Sequence, residues 1–377
     1  MNTWGNALRL SIFGESHGPA VGIIIDGLPP GERIDLALVG REMARRAPGQ
    51  ETYATARREA DAPEILSGLW AGKTTGAPLG AIIRNQDSQS GDYDTKLRPG
   101  HADWTALLKY GGHADMRGGG HFSGRLTAPL VFAGAVAKQL LARRGTTVLA
   151  RIVRIGEVED TEAPIDSEAY RQVADRDFPA GAAAGERMKA VILAAKAAGD
   201  SVGGIVEATA LGLPGGLGEP FFGSLESGAA ALLFSIPAVK GVEFGEGFRF
   251  AGLLGSQAND ELYLDQGAIR AYTNHNGGIL GGITNGLPVV VRAALKPTPS
   301  IAKPQRTVDS AEWRETELRI SGRHDPCVAP RAAPAVAAAL ALSLLDCLLA
   351  AARLAPIQGG GDSADGGDQG GGKDWAE

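Results

Sequence analysis

Six residues near the N-terminus carry the clearest chemical signal in the chain. Residues 13–18 read FGESHG and place the imidazole of His17 on a turn flanked by two glycines. The letters GESHG also fit G-x-S-x-G, the turn that presents the nucleophilic serine of many hydrolases, but that turn leads from a strand into a helix. Here a β-branched run closed by Asp-Gly follows, which predicts a second strand. Ser16 is therefore disfavoured as an acyl nucleophile, and His17 is the better candidate.

Five further loops combine glycine or proline with side chains that can bind anions or move protons. One of them precedes a predicted helix, a setting in which backbone N–H groups bind anions, and Arg125 there can add a bidentate donor. Another places Asp325 beside an imidazole and a guanidinium. Each loop taken alone could equally be an ordinary turn or a surface ion cluster. The five loops are 98–103 (RPGHAD), 118–125 (GGGHFSGR), 274–282 (NHNGGILGG), 296–300 (KPTPS) and 322–327 (GRHDPC).

One glycine loop invites a nucleotide-binding interpretation that its spacing does not support. Residues 68–74 read GLWAGKT and are similar to a phosphate-binding P-loop, but Ser67 stands where the first glycine is required. The residues after Lys73 predict a strand, whereas a P-loop leads into a helix. An NTPase is therefore disfavoured.

Composition limits the partners and the compartment. The 377 residues carry a net charge of -6, which gives no reason to expect nucleic acid or an anionic membrane as partner. Cations nevertheless recur in or beside the glycine loops, which points to small polyanionic ligands. Cys327 and Cys347 match neither a disulfide framework nor a metal site, so we expect no metal. With no visible secretory signal, a reducing cytoplasmic compartment is expected.

The pattern of apolar residues predicts helices among antiparallel strands. A helix is predicted from Thr127 as N-cap, and a last helix from about 330 to 354, too alanine-rich and too short in its uncharged part to read as a membrane span. Strands are predicted at 203–211 and 289–295, and residues 157–187 look like a polar surface excursion. There is no regular βαβ alternation, so the fold class is α+β. We expect one catalytic domain over residues 1–356 and a disordered Gly/Asp-rich tail over 357–377.

Taken in this order, the motifs resemble the chorismate synthase family over nearly the whole chain. The most specific segments are 13–18, 98–103, 274–282 and 322–327, four matches in register across about three hundred residues. The resemblance implies a layer of helices packed between antiparallel β-sheets, usually assembled as a homotetramer. It also implies a lyase that removes phosphate from 5-enolpyruvylshikimate 3-phosphate by anti-1,4-elimination to give chorismate. This is the last common step of the shikimate pathway towards aromatic amino acids.

The resemblance also implies a cofactor and residue roles. Reduced FMN is required without net redox change, because the flavin hands over electron density only transiently. His17 and His101 would donate protons to the leaving phosphate side and to the reduced flavin, and Asp325 would work with the flavin to remove the ring proton. The flavin site would comprise His121, Phe122, Ser123, Arg125, Pro237, Ala238, Gly281, Lys296, Pro297, Thr298, Pro299, Ser300 and Arg323. Positions for substrate or NADP would be Arg46, Thr52, Arg57 and Arg331.

Several positions depart from the usual pattern of the family. His121, Phe122, Gly124 and Leu126 replace other residues in the flavin loop, Pro237 stands where asparagine is usual, and Ala47 replaces a third arginine. Thr52 replaces an arginine that some members link to NADP, which predicts that an external flavin reductase supplies the reduced cofactor. The alternative interpretation is a flavin-binding homologue whose lyase chemistry is altered or lost.

Overall fold

The computed structural model describes residues 2–47, 53, 61–86, 95–161, 168–320 and 324–354. Within them the helices are α1 (Leu36–Arg46), α2 (Asp103–Tyr110), α3 (Thr127–Ala142), α4 (Glu168–Ala174), α5 (Ala182–Ala197), α6 (Leu225–Ser235), α7 (Gly255–Ala258) and α8 (Ala329–Leu354). The strands are β1 (Thr3–Trp4), β2 (Arg9–Gly14), β3 (Ala20–Asp26), β4 (Pro63–Ser67), β5 (Leu69–Trp70), β6 (Lys73–Thr74), β7 (Leu79–Arg84), β8 (Thr147–Ile155), β9 (Val158–Glu159), β10 (Gly204–Leu211), β11 (Val239–Phe244), β12 (Leu262–Asp265), β13 (Ala268–Ala271), β14 (Ile279–Leu280), β15 (Ile283–Thr284), β16 (Val289–Leu295), β17 (Gln305–Asp309) and β18 (Arg314–Leu318).

Two five-stranded antiparallel sheets form the outer layers of the molecule. The first has the order β1-β2-β3-β7-β4 and the second the order β11-β16-β10-β8-β9. In β3, Val21, Ile23 and Ile25 are buried while Ile24 is exposed, as expected for a strand with one face on the core. The central strands of the second sheet are buried almost throughout, because helices α4 and α5 pack against its outer side.

Helices α3 and α8 fill the space between the sheets. Helix α3 contacts β3 and β7 of the first sheet, helix α8 contacts β8 and β10 of the second, and the two helices contact each other. Gly134 allows this close approach, since a Cβ atom there would lie 2.2 Å from the Cβ of Ala338. The sheet–helix–sheet arrangement confirms the predicted α+β fold.

Helix α8 shows why a long apolar segment need not enter a membrane. By length and composition it could cross a bilayer, yet most of it lies inside the protein, and Val336, Leu340 and Leu344 are fully buried. Near its C-terminal end, Asp346 accepts hydrogen bonds from the backbone N–H groups of Ala7 and Leu8, both at 2.7 Å. The helix therefore joins the C-terminal part of the described chain to the N-terminal strands.

Two local predictions need correction. Helix α3 does begin at Thr127, but Thr127 is its first helical residue and not its N-cap; Ser123 instead caps the 3-10 turn Gly124–Leu126 that leads into it. The segment 157–187 is not only a surface excursion, because Tyr170 of α4 is fully buried and hydrogen-bonds Thr209 of β10 at 3.0 Å. Val173 and Phe178 of the same segment are buried as well, so part of this segment belongs to the core.

Candidate active site

The His17 turn connects β2 to β3, so a strand does follow it, as the sequence predicts. The turn is closed by the N–H of Gly18, which donates to Glu15 O at 3.1 Å, while the N–H of Ser16 donates to Gly120 O at 3.1 Å. Ser16 is fully buried, and its hydroxyl finds no hydrogen-bond partner among the described residues. Among the described residues, none therefore accepts a hydrogen bond from the Ser16 hydroxyl as the base of a nucleophilic serine would.

The glycine loop that contains residues 118–120 lies directly against the His17 turn. All three glycines have positive φ, and a Cβ atom on Gly118 would lie 2.6 Å from His17 Nε2 and 2.9 Å from Ser16 Oγ. Only glycine allows the backbone to come this close. His121 fixes the loop in place, since its Nδ1 hydrogen-bonds Gly14 O at 2.9 Å.

A chain of hydrogen bonds leads from the backbone of the His17 turn to a buried carboxylate. The side-chain amide of Asn85 donates to Glu15 O at 3.0 Å and to Gly18 O at 2.7 Å. Arg125 in turn donates from Nε to Asn85 Oδ1 at 2.9 Å, and its guanidinium also pairs with the carboxylate of Asp61. The sequence predicted Arg125 as an anion-binding residue, whereas the structure shows it buried and engaged by a carboxylate.

The same carboxylate connects to the C-terminal helix. Arg46 is buried, pairs with Asp61 and donates from Nε to Thr127 Oγ1 at 3.1 Å. Burial, together with the charge of Arg331, lowers the pKa of Arg46 to about 10. Arg331 donates to the backbone O of Arg46 at 3.2 Å and to Asp325 Oδ2 at 2.5 Å. Asp325 and the His17 turn are thus ends of one network, which we call the turn cluster.

A second group of predicted residues, the loop cluster, surrounds His101. The Nε2 atom of His101 hydrogen-bonds Ser300 Oγ at 2.8 Å, and Lys296 Nζ donates to Gly100 O at 2.6 Å. The N–H of Lys296 donates to Ala238 O at 2.9 Å, and Ala238 has a φ of +75°, uncommon for a residue with a side chain. Three segments that are far apart in sequence therefore meet here.

The loop cluster keeps His101 neutral at neutral pH in the free protein. Burial is the main cause, and the nearby Arg98 guanidinium adds to it, so that the pKa of His101 falls to about 4. Arg98 is itself paired with Asp103 at 2.7 Å. His324 also lowers the pKa of His101, which places the residue before Asp325 within electrostatic range of this cluster. The two clusters therefore adjoin at the start of α8.

Some of the predicted site residues belong to neither cluster or lie outside the described residues. Gly281 lies in the turn between β14 and β15, where the adjacent Gly282 packs against Glu219 and Ser224. No hydrogen bond between described residues joins Gly281 to either cluster. Thr52, Arg57 and Arg323 lie outside the described residues, as does the tail 357–377.

Comparison with known proteins places this geometry in a family. The chorismate synthase family model matches residues 8–349. The chorismate synthase of Aeropyrum pernix is 50% identical over 358 residues, covering 93% of this chain and 94% of the relative. That of Thermococcus kodakarensis is 49% identical over 348 residues, covering 92% and 97%. A solved structure described as the crystal structure of chorismate synthase superposes with a TM-score of 0.72 at 31% identity, covering 92% of this chain and 93% of the other.

The chain belongs to the chorismate synthase family. Membership makes it a lyase and confirms the resemblance that the motifs suggested. The similarity to a solved chorismate synthase also confirms the fold class.

Sequence reasoning missed two residues of the turn cluster, Asp61 and Asn85. Neither belongs to a glycine-rich motif, and each is one of several polar residues that flank an apolar strand. One indication was present in the sequence. Arg46 and Arg125 were both predicted to lie at a ligand site, and a guanidinium group that becomes buried needs a carboxylate partner, so an aspartate or glutamate near both could have been expected.

Proposed function

We propose that the protein converts 5-enolpyruvylshikimate 3-phosphate to chorismate by anti-1,4-elimination, dependent on reduced FMN and without net redox change. The reaction breaks the bond to phosphate and removes one ring proton, so a proton donor and a proton acceptor must face the same substrate. The observation that supports this proposal is the turn cluster, which connects Asp325 to the turn of His17 through Arg331, Arg46, Asp61, Arg125 and Asn85.

The residues of the loop cluster fit a flavin phosphate and its ring. Thr298 Oγ1 is buried without a hydrogen-bond partner among the described residues, so it is free to donate to a ligand. Lys296 supplies a cation and Ser300 a hydroxyl in the same proline-stiffened segment. We propose that these residues hold FMN together with Pro237, Ala238, Phe122 and Ser123. When bound and reduced, FMN would supply electron density to the substrate as phosphate departs.

The protein's own residues would move the protons. His17 Nε2 lies at the glycine loop, where it can donate a proton or hydrogen bond to the departing phosphate. Asp325 would work with the flavin as the base in removal of the ring proton, with Arg331 fixing the orientation of its carboxylate. His101 is neutral at neutral pH in the free protein, and an anionic ligand beside it would raise its pKa, so its role as a proton donor depends on the bound complex.

An anaerobic assay tests the proposed function. Protein supplied with the substrate and chemically reduced FMN is expected to release chorismate and phosphate in equal amounts, with no product when the FMN is oxidised. Binding of reduced FMN and substrate without turnover would instead support the flavin-binding homologue with lost chemistry. Failure to bind FMN in either redox state would contradict the flavin assignment.

We also propose that a separate reductase supplies reduced FMN and that the protein is a homotetramer. Thr52 supports the first proposal, because it replaces the arginine that some family members link to NADP. The hairpin β12–β13 supports the second, because Leu262, Leu264 and Ile269 are exposed on it, and a two-stranded hairpin is marginally stable without further packing. Turnover with NADPH alone would contradict the first, and a monomeric mass in light scattering would contradict the second.

A further inference from the structure

Asp61 is a buried carboxylate shared by two buried arginines. Its side chain is wholly inaccessible, and the side chains of its partners Arg46 and Arg125 are 3% and 2% exposed. The two guanidinium groups come from different elements, the last residue of α1 and the 3-10 turn before α3. Arg46 and Arg125 are 79 positions apart in the sequence, and the Asp61 carboxylate fixes the distance between their guanidinium groups.

The backbone at Asp61 is also unusual. Its φ of +48° lies in the left-handed region, which residues other than glycine rarely occupy, although aspartate and asparagine tolerate it best. Such outliers persist only where surrounding contacts hold them, and they are frequent at functional sites. A buried ion pair is by itself weak evidence for stability, because desolvation of the charges offsets their attraction. The arrangement therefore calls for an explanation in terms of what the two arginines hold.

Each arginine leads to a different part of the candidate active site. Arg125 continues through Asn85 to the backbone of the His17 turn. The backbone of Arg46 receives the hydrogen bond of Arg331, which also binds Asp325. Asp61 lies at the midpoint of the path between the proposed proton donor and the proposed proton acceptor.

The charges around Asp61 are nearly balanced. Three guanidinium groups, those of Arg46, Arg125 and Arg331, face two carboxylates, those of Asp61 and Asp325. The cluster thus carries one net positive charge when all five groups are ionised. Removal of the Asp61 charge would double this excess and release two guanidinium groups from their fixed geometry.

We propose that Asp61 is a positioning residue for the elimination: by holding Arg46 and Arg125 it fixes the His17 turn relative to Asp325. This inference rests on the proposed function. Asp61 touches neither His17 nor Asp325 in the contacts described above, so it acts through its partners. Displacement of reactive groups by about 1 Å can lower the rate of a reaction by about 100-fold, which sets the size of the expected effect.

The variant Asp61→Asn tests the proposal, because asparagine keeps the shape and tolerates the backbone conformation but carries no charge. We expect kcat to fall by about 10- to 100-fold. KM for the substrate should stay the same or fall, because the site becomes more positive and attracts the anionic substrate more strongly. A kcat within twofold of the wild type, or a loss confined to KM, overturns the proposal.

Asp160→Asn is the matched control. Asp160 is another fully buried aspartate beside an arginine, with its Oδ2 3.6 Å from Arg151 NH1, but it packs on the outer side of the second sheet. Asp160→Asn shows how far turnover falls when the loss of a buried carboxylate only destabilises the fold. We expect its kcat to stay within twofold of the wild type, and a fall as large as that of Asp61→Asn overturns the proposal.

A binding measurement separates this inference from the proposed function. Inorganic phosphate is titrated calorimetrically into the wild type and both variants without flavin, and Asp61→Asn should bind it several-fold more tightly at low salt while Asp160→Asn is unchanged. Weaker binding by Asp61→Asn overturns the inference even if the wild type forms no chorismate. Should Asp61→Asn not fold, Asp61→Glu keeps the charge but moves the oxygens by one methylene; its kcat should fall at least tenfold, and full kcat overturns the proposal.

Discussion

Two buried networks of arginines and carboxylates in the described part of the chain differ in how the backbone presents them. In the second sheet, Glu207 of β10 lies directly opposite Arg151 of β8 and Arg292 of β16, and it bonds both arginines at 3.1 and 2.9 Å. These three residues occupy regular strands in register. Asp61, in contrast, precedes β4 with a positive φ and receives its arginines from a helix end and a 3-10 turn.

The difference fits a structural role for the Glu207 network and the role proposed above for the Asp61 network. Cross-strand pairing alone brings Glu207 and its arginines together, so no irregular backbone is needed, and the network holds adjacent strands. The Asp61 network requires an unfavourable backbone conformation and leads to groups that face the candidate active site. Similar chemistry therefore serves the sheet in one place and the proposed reaction in the other, and variants of the two networks should affect different measurements.

The largest effect is expected at the end of the Asp61 network, in Asp325→Asn. Asparagine is nearly isosteric but cannot accept the ring proton, so kcat should fall by about 10²- to 10⁴-fold while FMN and substrate still bind. Arg331→Gln is the matched control, because it removes the ion pair but keeps the carboxylate; as a change in positioning it should lower kcat by about 10- to 100-fold, less than Asp325→Asn. Equal losses of kcat in the two variants would indicate that Asp325 acts only as the ion-pair partner of Arg331 and not as a base.

His17→Ala tests the other end of the same network. Loss of a general acid lowers turnover by about 10²- to 10⁴-fold, and we expect a value in the lower part of this range because the glycine loop remains to bind phosphate. His113 is an exposed histidine in the segment that leads to the same loop, and His113→Ala should keep kcat within twofold. A similar loss in both variants would show that the site depends on loop structure and not on the His17 imidazole.

Glu207→Gln should lower folding stability but not kcat, whereas the variants of the Asp61 network should lower kcat. It removes the carboxylate that Arg151 and Arg292 share and leaves each arginine only a longer ion pair, Arg151 with Asp160 at 3.6 Å and Arg292 with Glu243 at 3.4 Å. Breaking a buried pair costs about 3–5 kcal/mol of folding stability, and we expect a value at the lower end of this range because the second carboxylates remain. Because the network lies away from the candidate active site, kcat of the folded variant should stay within twofold. Denaturant unfolding and steady-state kinetics check both statements, and a selective fall in kcat would remove the distinction between the two networks.

The smallest effect concerns pH and the loop cluster. The pKa of His101 is lowered to about 4 in the folded protein from 6.5 in the unfolded chain, so the unfolded state binds its proton first as pH falls. This contribution to stability is present above pH 6.5 and is lost as the pH falls towards 4. Between these values the melting temperature of the wild type should fall more steeply than that of His101→Gln. Parallel curves would show that His101 is not held neutral.

Much of the fold could be predicted from the sequence because its elements have strong local signals. Helices α3 and α8 follow from apolar runs too long for strands, and the strands at 204–211 and 289–295 follow from β-branched runs. The glycine-rich loops could be predicted as candidate ligand sites, and the structure shows glycine where backbone and side chain come as close as Gly118 and His17. These features depend on residues that are near one another in the sequence.

The residues that were missed depend on long-range placement. Asp61 becomes important only because α1 and the turn before α3 bring two arginines to it, and no spacing in the sequence shows this. Arg46 and Arg125 could be assigned to an anion site by their position beside glycine loops, but their burial and their common carboxylate could not. The predicted surface excursion failed for a similar reason, since Tyr170 is anchored by Thr209, 39 residues away.

The position of α8 also determines the order in which the molecule can be made. Asp346 near the end of this helix binds the N–H groups of Ala7 and Leu8, more than 330 residues earlier, and the helix supplies the surface on which the second sheet packs. During synthesis the N-terminal strands therefore emerge long before their partner exists. The central layer is complete only after residue 346 has left the ribosome, although α3 can cover β3 and β7 of the first sheet earlier. Contacts of this large sequence separation slow folding, because the loop between the partners must be closed before they form.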